Sequence, residues 1–290
     1  MIKKSIVTTI ETWLHDAVEM LVRSKVPTPR LDAEVLLAHA LGVNRTWLIA
    51  HANDNIDDAH ALENANKLLA KRLQRVPIAY LTNHKEFYGR SFFVDESVLI
   101  PRPESEMMID LLKEIYGEGS RKKEEGRNSI RLIDVGTGSG CLGITAKLEL
   151  PALDVTLCDI SDEALAIAHK NATTLKADVA IAKSDLLSSF IILPSSFDVI
   201  LANLPYVDAN WERSPETDHE PSLALFADDN GLDLIKKCIQ QAQRSLQKDG
   251  YLILEADPCQ HDEIIRCSKQ FGFEVVRVQD YIVALQLRVA

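Results

Sequence analysis

Apolar positions in residues 8–75 recur with helical spacing. Ile10, Trp13, Leu14, Ala17, Val18 and Leu21 fall at i, i+3, i+4 and i+7, the stripe of an amphipathic helix with one face toward a core. Val26-Pro-Thr-Pro29 stops that helix, because proline has no N–H to continue the hydrogen-bond ladder. Leu31, Val35, Ala38 and Leu41 mark a second helix closed by Gly42 at a C-cap position. Residues 45–50 predict a short third helix, and a fourth runs from about Ile56 through Leu62, Leu68, Leu69 and Leu73. Together they predict a helical bundle domain over residues 1–76.

The texture changes at residue 77. Glu86-Phe-Tyr-Gly-Arg-Ser-Phe-Phe-Val94, followed by Ser97-Val-Leu-Ile100, is rich in aromatic and β-branched residues and predicts a hairpin connector over 77–100. A helix is expected at 107–116, and Gly117–Asn128 reads as a charged surface loop. From there to the end, strands are expected at 130–135, 154–159, 179–182, 197–202, 250–255 and 273–277. Helices are expected between them at 140–150, 162–173, 231–247 and 260–270. Alternation of this kind predicts a second domain, residues 101–290, of α/β class: a mostly parallel, doubly wound sheet with helices on both faces.

Composition narrows the classes. In 290 residues, 46% are hydrophobic and no apolar run is long enough to span a membrane. The amino-terminal stretch has neither the apolar core nor the small-residue cleavage site of a signal peptide, so a cytoplasmic protein is expected. Five cysteines without a C-x-x-C pair, and scattered histidines, argue against a disulfide framework and a metal site. Residues 1–95 hold 12 basic against 11 acidic side chains, whereas residues 96–290 hold 20 against 32. A protein gripping nucleic-acid phosphates would show a basic stripe instead, so no direct nucleic-acid binding is expected.

Four landmarks carry chemistry. Ile130-Arg-Leu-Ile-Asp-Val runs into Gly136-Thr137-Gly138-Ser139-Gly140, where glycine lets backbone N–H groups approach a nucleotide-like ligand at a helix N-terminus. The spacing is G-x-G-x-G, unlike the dinucleotide fingerprint, and Asp134 ahead of it resembles class I methyltransferases that use S-adenosylmethionine. Asp159 ends the next strand, where a carboxylate accepts ribose hydroxyls. Asp185 stands where those enzymes contact adenine. Finally, Asn203-Leu204-Pro205-Tyr206 follows an apolar strand and resembles the motif Asn or Asp, Pro, Pro, Tyr or Phe of enzymes that methylate conjugated nitrogens. The lone pair of such a nitrogen is delocalised, so its N–H groups must be held by acceptors. Asn203 offers its side-chain carbonyl and residue 204 its backbone carbonyl, while Pro205 and Tyr206 complete the clamp, the tyrosine as an aromatic wall. These residues leave two substrates open, an adenine N6 of RNA or DNA and a glutamine side-chain amide.

Other blocks carry a closer resemblance. Arg30-Leu-Asp-Ala-Glu-Val-Leu-Leu-Ala-His-Ala-Leu-Gly42, Pro77-Ile-Ala-Tyr-Leu-Thr82, Glu86-Phe-Tyr-Gly89, Leu99-Ile-Pro-Arg-Pro-Glu-Ser-Glu106 and His219-Glu-Pro-Ser-Leu-Ala-Leu225 run in collinear order. Over about residues 8–280 the chain resembles the peptide chain release factor glutamine N5-methyltransferases. The resemblance implies a Rossmann-like class I S-adenosylmethionine-dependent methyltransferase domain preceded by a helical substrate-recognition domain. It implies a class I release factor as protein partner, methylated on the glutamine of its Gly-Gly-Gln loop. S-adenosylmethionine would be held by Gly136, Thr137, Gly138, Ser139, Gly140, Asp159, Asp185, Leu186 and Asn203. Leu186 stands where the family commonly has a tryptophan that stacks on the cofactor. Asn203, Leu204, Pro205 and Tyr206 match the substrate clamp, with Leu204 in place of its first proline. A glutamine of a ribosomal protein is the alternative substrate of the same chemistry.

Overall fold

The computed structural model describes residues 8–117, 129–190 and 197–288; residues 118–128 of the expected charged loop lie outside the described residues. The chain divides into two units, one of Met1–His84 with Ser214–His219, the other of Lys85–Arg213 with Glu220–Ala290.

In the first unit the helical stripe becomes α1 (Ile10–Arg23), capped by Thr9, whose Oγ1 accepts the Thr12 N–H at 3.2 Å. Next come α2 (Pro29–Leu41), closed by Gly42, and α3 (Arg45–Ala50). The fourth helix, α4 (Ala59–Leu73), starts three residues later than its apolar pattern suggests. Asp58 caps it, and Ile56 instead donates its N–H to the Thr8 carbonyl in an extended stretch. Residues 78–82, expected within the hairpin connector, form a short helix, α5 (Ile78–Thr82). Ile10, Leu14, Ala17, Leu21, Leu36, Leu37 and Leu69 fill the bundle core.

A charged cluster lies beside that core. Arg72, 4% exposed, donates to Asp32 at 2.7 Å and to Glu216 at 2.9 Å, and Arg75 reaches the other Glu216 oxygen at 2.7 Å. Removing one member would leave a buried charge uncompensated, which typically costs about 3–5 kcal/mol.

The second unit opens with a small hairpin, β1 (Lys85–Phe87) and β2 (Arg90–Phe92), and then α6 (Glu106–Tyr116). The main sheet follows from β3 (Ile130–Val135), β4 (Leu153–Asp159), β5 (Ala180–Lys183), β6 (Phe197–Ala202), β7 (Leu246–Glu255), β8 (Phe273–Gln279) and β9 (Ile282–Leu287). Its order is β5-β4-β3-β6-β7-β9-β8. Pairing is parallel from β5 to β7 and antiparallel at β7–β9 and β9–β8. The last strand was not expected from the sequence; all six of its residues are buried, so it has no polar face to show alternation.

The connecting segments are α7 (Cys141–Glu149), α8 (Asp162–Leu175), the single helical turn α9 (Ser222–Leu225), a turn α10 (Asp228–Gly231) whose Asp229, Asn230 and Gly231 have positive φ, α11 (Asp233–Ser245) and α12 (His261–Gln270). They cover both faces. Leu132, Val199, Leu201 and Ile253 pack with α6 and α7, whereas their neighbours Ile133, Ile200, Leu252 and Leu254 pack with α11 and α12. The strand order reverses between β4-β3 and β3-β6. At such a switch point the loops leaving the carboxyl ends diverge and open a crevice. No described helix is long and apolar enough to cross a membrane.

Candidate active site

The crevice is a cavity of about 310 Å³ in the second unit. Gly136, Thr137 and Gly138 line it after β3, Asp159 and Ser161 after β4, and Asn203 and Pro205 after β6. Leu99, Pro101 and Ser105, ahead of α6, and Pro221, Leu223 and Ala224, around α9, supply the rest of its wall.

Asp134 braces the glycine loop from inside. Its Oδ2 accepts the Thr137 hydroxyl at 2.6 Å and the Gly143 N–H at 2.9 Å, which ties strand, loop and α7 together. Burial pushes its carboxyl up to about 6, with the Thr137 and Gly143 hydrogen bonds pulling the other way. Gly138 has φ +54° and no atom within 4 Å of where a Cβ would stand, so a ligand can come close to its backbone. Its N–H donates to Asp159 Oδ2 at 2.9 Å, and the Ser161 N–H donates to Oδ1 at 3.0 Å. These two bonds fix the aspartate between loop and strand end. Ser161 also caps α8 by accepting the Ala164 N–H at 3.1 Å.

The sequence-expected residues do not all meet here. Gly136, Thr137, Gly138, Asp159, Asn203 and Pro205 share the cavity wall. Ser139 is buried, and Gly140 closes the loop by donating its N–H to the Thr137 carbonyl at 2.8 Å. Asp185 is exposed after β5. Leu186 is buried in the core beside Cys158, and neither it nor Asp185 lines the cavity. Leu204 is 3% exposed, with its side chain against the glycine loop: its Cδ2 is 3.0 Å from where a Cβ on Gly136 would stand.

Two side chains that the sequence reading passed over complete the site, Ser105 and Glu255, both 1% exposed. Asn203 Nδ2 donates to Ser105 Oγ at 3.1 Å, and Ser105 Oγ donates to Glu255 Oε2 at 2.5 Å. The Tyr206 hydroxyl reaches Glu255 Oε1 at 3.3 Å. Burial and the adjoining Glu255 carboxylate push the Tyr206 phenol up, so it stays protonated and a donor. A lone carboxylate closing the apolar run Tyr251-Leu-Ile-Leu254 was the available signal for Glu255.

The chain behind the motif is held at several points. Tyr206 O accepts Gln260 Nε2 at 2.8 Å, and the Val207 N–H donates to the Leu225 carbonyl at 3.0 Å. Glu220, 7% exposed, accepts the Ile100 N–H at 3.1 Å and pairs with Arg102 at 2.6 Å. That carboxylate therefore joins the two segments that wall the cavity from opposite parts of the chain.

The strand order, the glycine loop after β3 and the acid ending β4 define the fold of class I S-adenosylmethionine-dependent methyltransferases. A solved structure of the Thermus thermophilus 16S rRNA N2 G1207 methyltransferase, in complex with AdoMet and guanosine, has a TM-score of 0.52 to this chain. It covers 71% of this chain and 50% of that one at 16% identity, a likeness of fold alone. Two family models match, the PrmC N-terminal domain over residues 12–82 and the Methyltransferase small domain over residues 121–218. A release factor glutamine methyltransferase of Koribacter versatilis is 37% identical over 259 residues, 86% of this chain and 89% of that protein. A bifunctional methyltransferase of Rickettsia bellii is 33% identical over 92% of this chain, which spans only 52% of that longer protein. The chain belongs to the release factor glutamine methyltransferase family.

Proposed function

We propose that this enzyme transfers a methyl group from S-adenosylmethionine to the side-chain amide nitrogen, N5, of the glutamine in the Gly-Gly-Gln loop of a class I release factor. One observation supports this most: Asn203 at the cavity wall, its Nδ2 turned to Ser105, with Oδ1 left as an acceptor. The names of the relatives point to the same reaction.

S-adenosylmethionine fits the residues present. Asp159 is an anchored acceptor for ribose hydroxyls, the Gly136–Gly138 backbone is approachable, and Leu99, Leu142 and Ala164 give an apolar wall. When bound, it supplies a methyl group activated on a sulfonium. The protein's own part is placement. Asn203 Oδ1 and the Leu204 carbonyl accept the N–H groups of the substrate amide, which turns the nitrogen lone pair out of conjugation and toward the donor. Tyr206 and Pro205 hold the flat amide between them. Because a sulfonium donor would be neutralised by the transfer, the protein need supply no strong base, and the fixed orientation that Asn203, Pro205 and Tyr206 give the amide would provide most of the acceleration. The two carbonyl acceptors stabilise the N–H groups while their positive character rises, and the methylated nitrogen gives up one proton to solvent water.

The helical unit would engage the factor, in the cytoplasm where release factors act. A protein substrate also suits the acidic balance of residues 96–290 better than a nucleic acid does. The test is methylation of purified release factor by the intact enzyme. Label on the wild-type factor and none on a factor whose loop glutamine is alanine is the expected result. Label on RNA instead would mean the clamp serves an adenine.

A further inference from the structure

We propose that Ser105 and Glu255 are positioning residues that lock the Asn203 amide with its oxygen toward the substrate. An asparagine side chain can sit either way round, and only one way presents an acceptor. Turned over, the same residue would aim an N–H at the N–H of the substrate, and the clamp would repel what it has to hold. The reading rests on Asn203 acting as the acceptor for the substrate amide.

The order of the hydrogen bonds decides the orientation. Ser105 has one hydroxyl proton. At 2.5 Å from a carboxylate oxygen, which can only accept, that proton goes to Glu255. Ser105 Oγ then has only lone pairs to offer Asn203, so the amide must turn Nδ2 to it, as the 3.1 Å contact has it. Tyr206 donates to the second Glu255 oxygen, so both carboxylate oxygens are committed and the hydroxyl proton is not drawn back. The three partners come from distant elements: the turn Pro103–Ser105 ahead of α6, the end of β6, and the end of β7. Ser105 and Glu255 are almost wholly buried, so water does not compete for the relay.

Protonation of Glu255 would undo the lock. A neutral carboxyl can donate to Ser105, whose own proton then turns to Asn203 and asks for Oδ1. Burial holds Glu255 above the usual carboxylate range and the Glu104 charge adds to this, while Ser105, Tyr206 and Asn203 pull it down. The titratable groups facing it are Glu104 on the turn, the Tyr206 phenol after the motif and the Cys141 thiol at the start of α7, which burial keeps protonated. Lowering the pH therefore converts acceptors into donors here, and kcat for methyl transfer should fall on the acid side.

The experiment compares wild-type enzyme, Ser105→Ala and Glu255→Gln on purified release factor, measuring kcat against pH and Kd for S-adenosylmethionine by calorimetry. Ser105→Ala removes the acceptor without adding bulk. It should lower kcat about 10- to 100-fold with Kd unchanged. Glu255→Gln is neutral at every pH and, like the protonated acid, can turn an N–H to Ser105. It should lower kcat about 10- to 100-fold at neutral pH, with Kd unchanged, and show no acid limb. Wild-type turnover in Ser105→Ala, a rate loss that merely follows weaker cofactor binding, or an unchanged acid limb in Glu255→Gln would each overturn the proposal. If the wild-type enzyme labels some other substrate and not the factor, the substrate reading fails. The ratio of Ser105→Ala to wild type on that substrate still judges the relay.

Discussion

Replacing Gly231 with alanine should disturb the proposed substrate clamp from behind. Gly231 ends α10 with φ +81°, and a Cβ there would stand 1.9 Å from the Tyr206 carbonyl oxygen and 2.6 Å from Gln260 Nε2. Left-handed backbone costs a residue with a Cβ about 1–2 kcal/mol. The overlap adds about 1–3 kcal/mol, as overpacking in a filled core does, because a carbonyl cannot rotate aside as a flexible side chain can. Pushing the carbonyl also strains the 2.8 Å bond it receives from Gln260, which joins Tyr206 to the turn before α12. Together these predict a loss of about 2–5 kcal/mol. Gly89 provides the control in the same unit: its φ is +72°, but nothing lies within 4 Å of its Cβ position, so Gly89→Ala pays only the backbone part. Urea unfolding monitored on the second unit would compare the two, and steady-state methylation would test the clamp. Gly231→Ala should be the less stable by more than about 1 kcal/mol and should lose kcat, while Gly89→Ala keeps it. Equal destabilisation, with methylation intact in both, would mean that a Cβ at position 231 meets no resistance from the Tyr206 carbonyl.

Two further predictions concern the cavity wall. Asp159→Ala removes the acceptor held between Gly138 and Ser161 and should weaken S-adenosylmethionine binding about 10- to 100-fold, measured by calorimetry, with the melting temperature little changed. Asp134→Asn tests the buried brace through pH. Its folded-state carboxyl, pushed up to about 6 from an ordinary 3.8, binds protons that the unfolded chain has released, so wild-type stability falls as pH rises from about 3.8 through 6. The asparagine variant should lack that component of the slope in unfolding measured across the window, and an identical slope would contradict it.

What could be read from the sequence was what is local. The strand, three glycines and helix at 130–150 lie in one stretch of chain, and so does Asn203-Leu204-Pro205-Tyr206, so their chemistry is written consecutively. Element boundaries slipped where a single side chain overrides periodicity. Asp58 delays α4 by capping it, and the left-handed Gly231 delays α11 to Asp233, two residues after its expected start. The strand Ile282–Leu287 escaped notice because burial on both faces erases alternation. Leu186, expected beside the cofactor, has φ +48° itself and is buried against Cys158, a placement set by tertiary packing. The Ser105–Glu255 bond joins residues 150 apart in the chain. No spacing rule reaches across that distance, whereas the resemblance to a known family identified the reaction without revealing this relay.

On the proposed reading, the Asn203–Tyr206 clamp holds a glutamine amide of a release factor. The most direct measurement gives the enzyme radiolabelled methyl-S-adenosylmethionine with the purified class I factor, its loop Gln→Ala variant and total rRNA, with a Tyr206→Ala enzyme alongside. Label on the wild-type factor alone, on the loop glutamine, and lost with Tyr206→Ala, is the predicted result. Label on rRNA or on the Gln→Ala factor, with none on the loop glutamine, would contradict it.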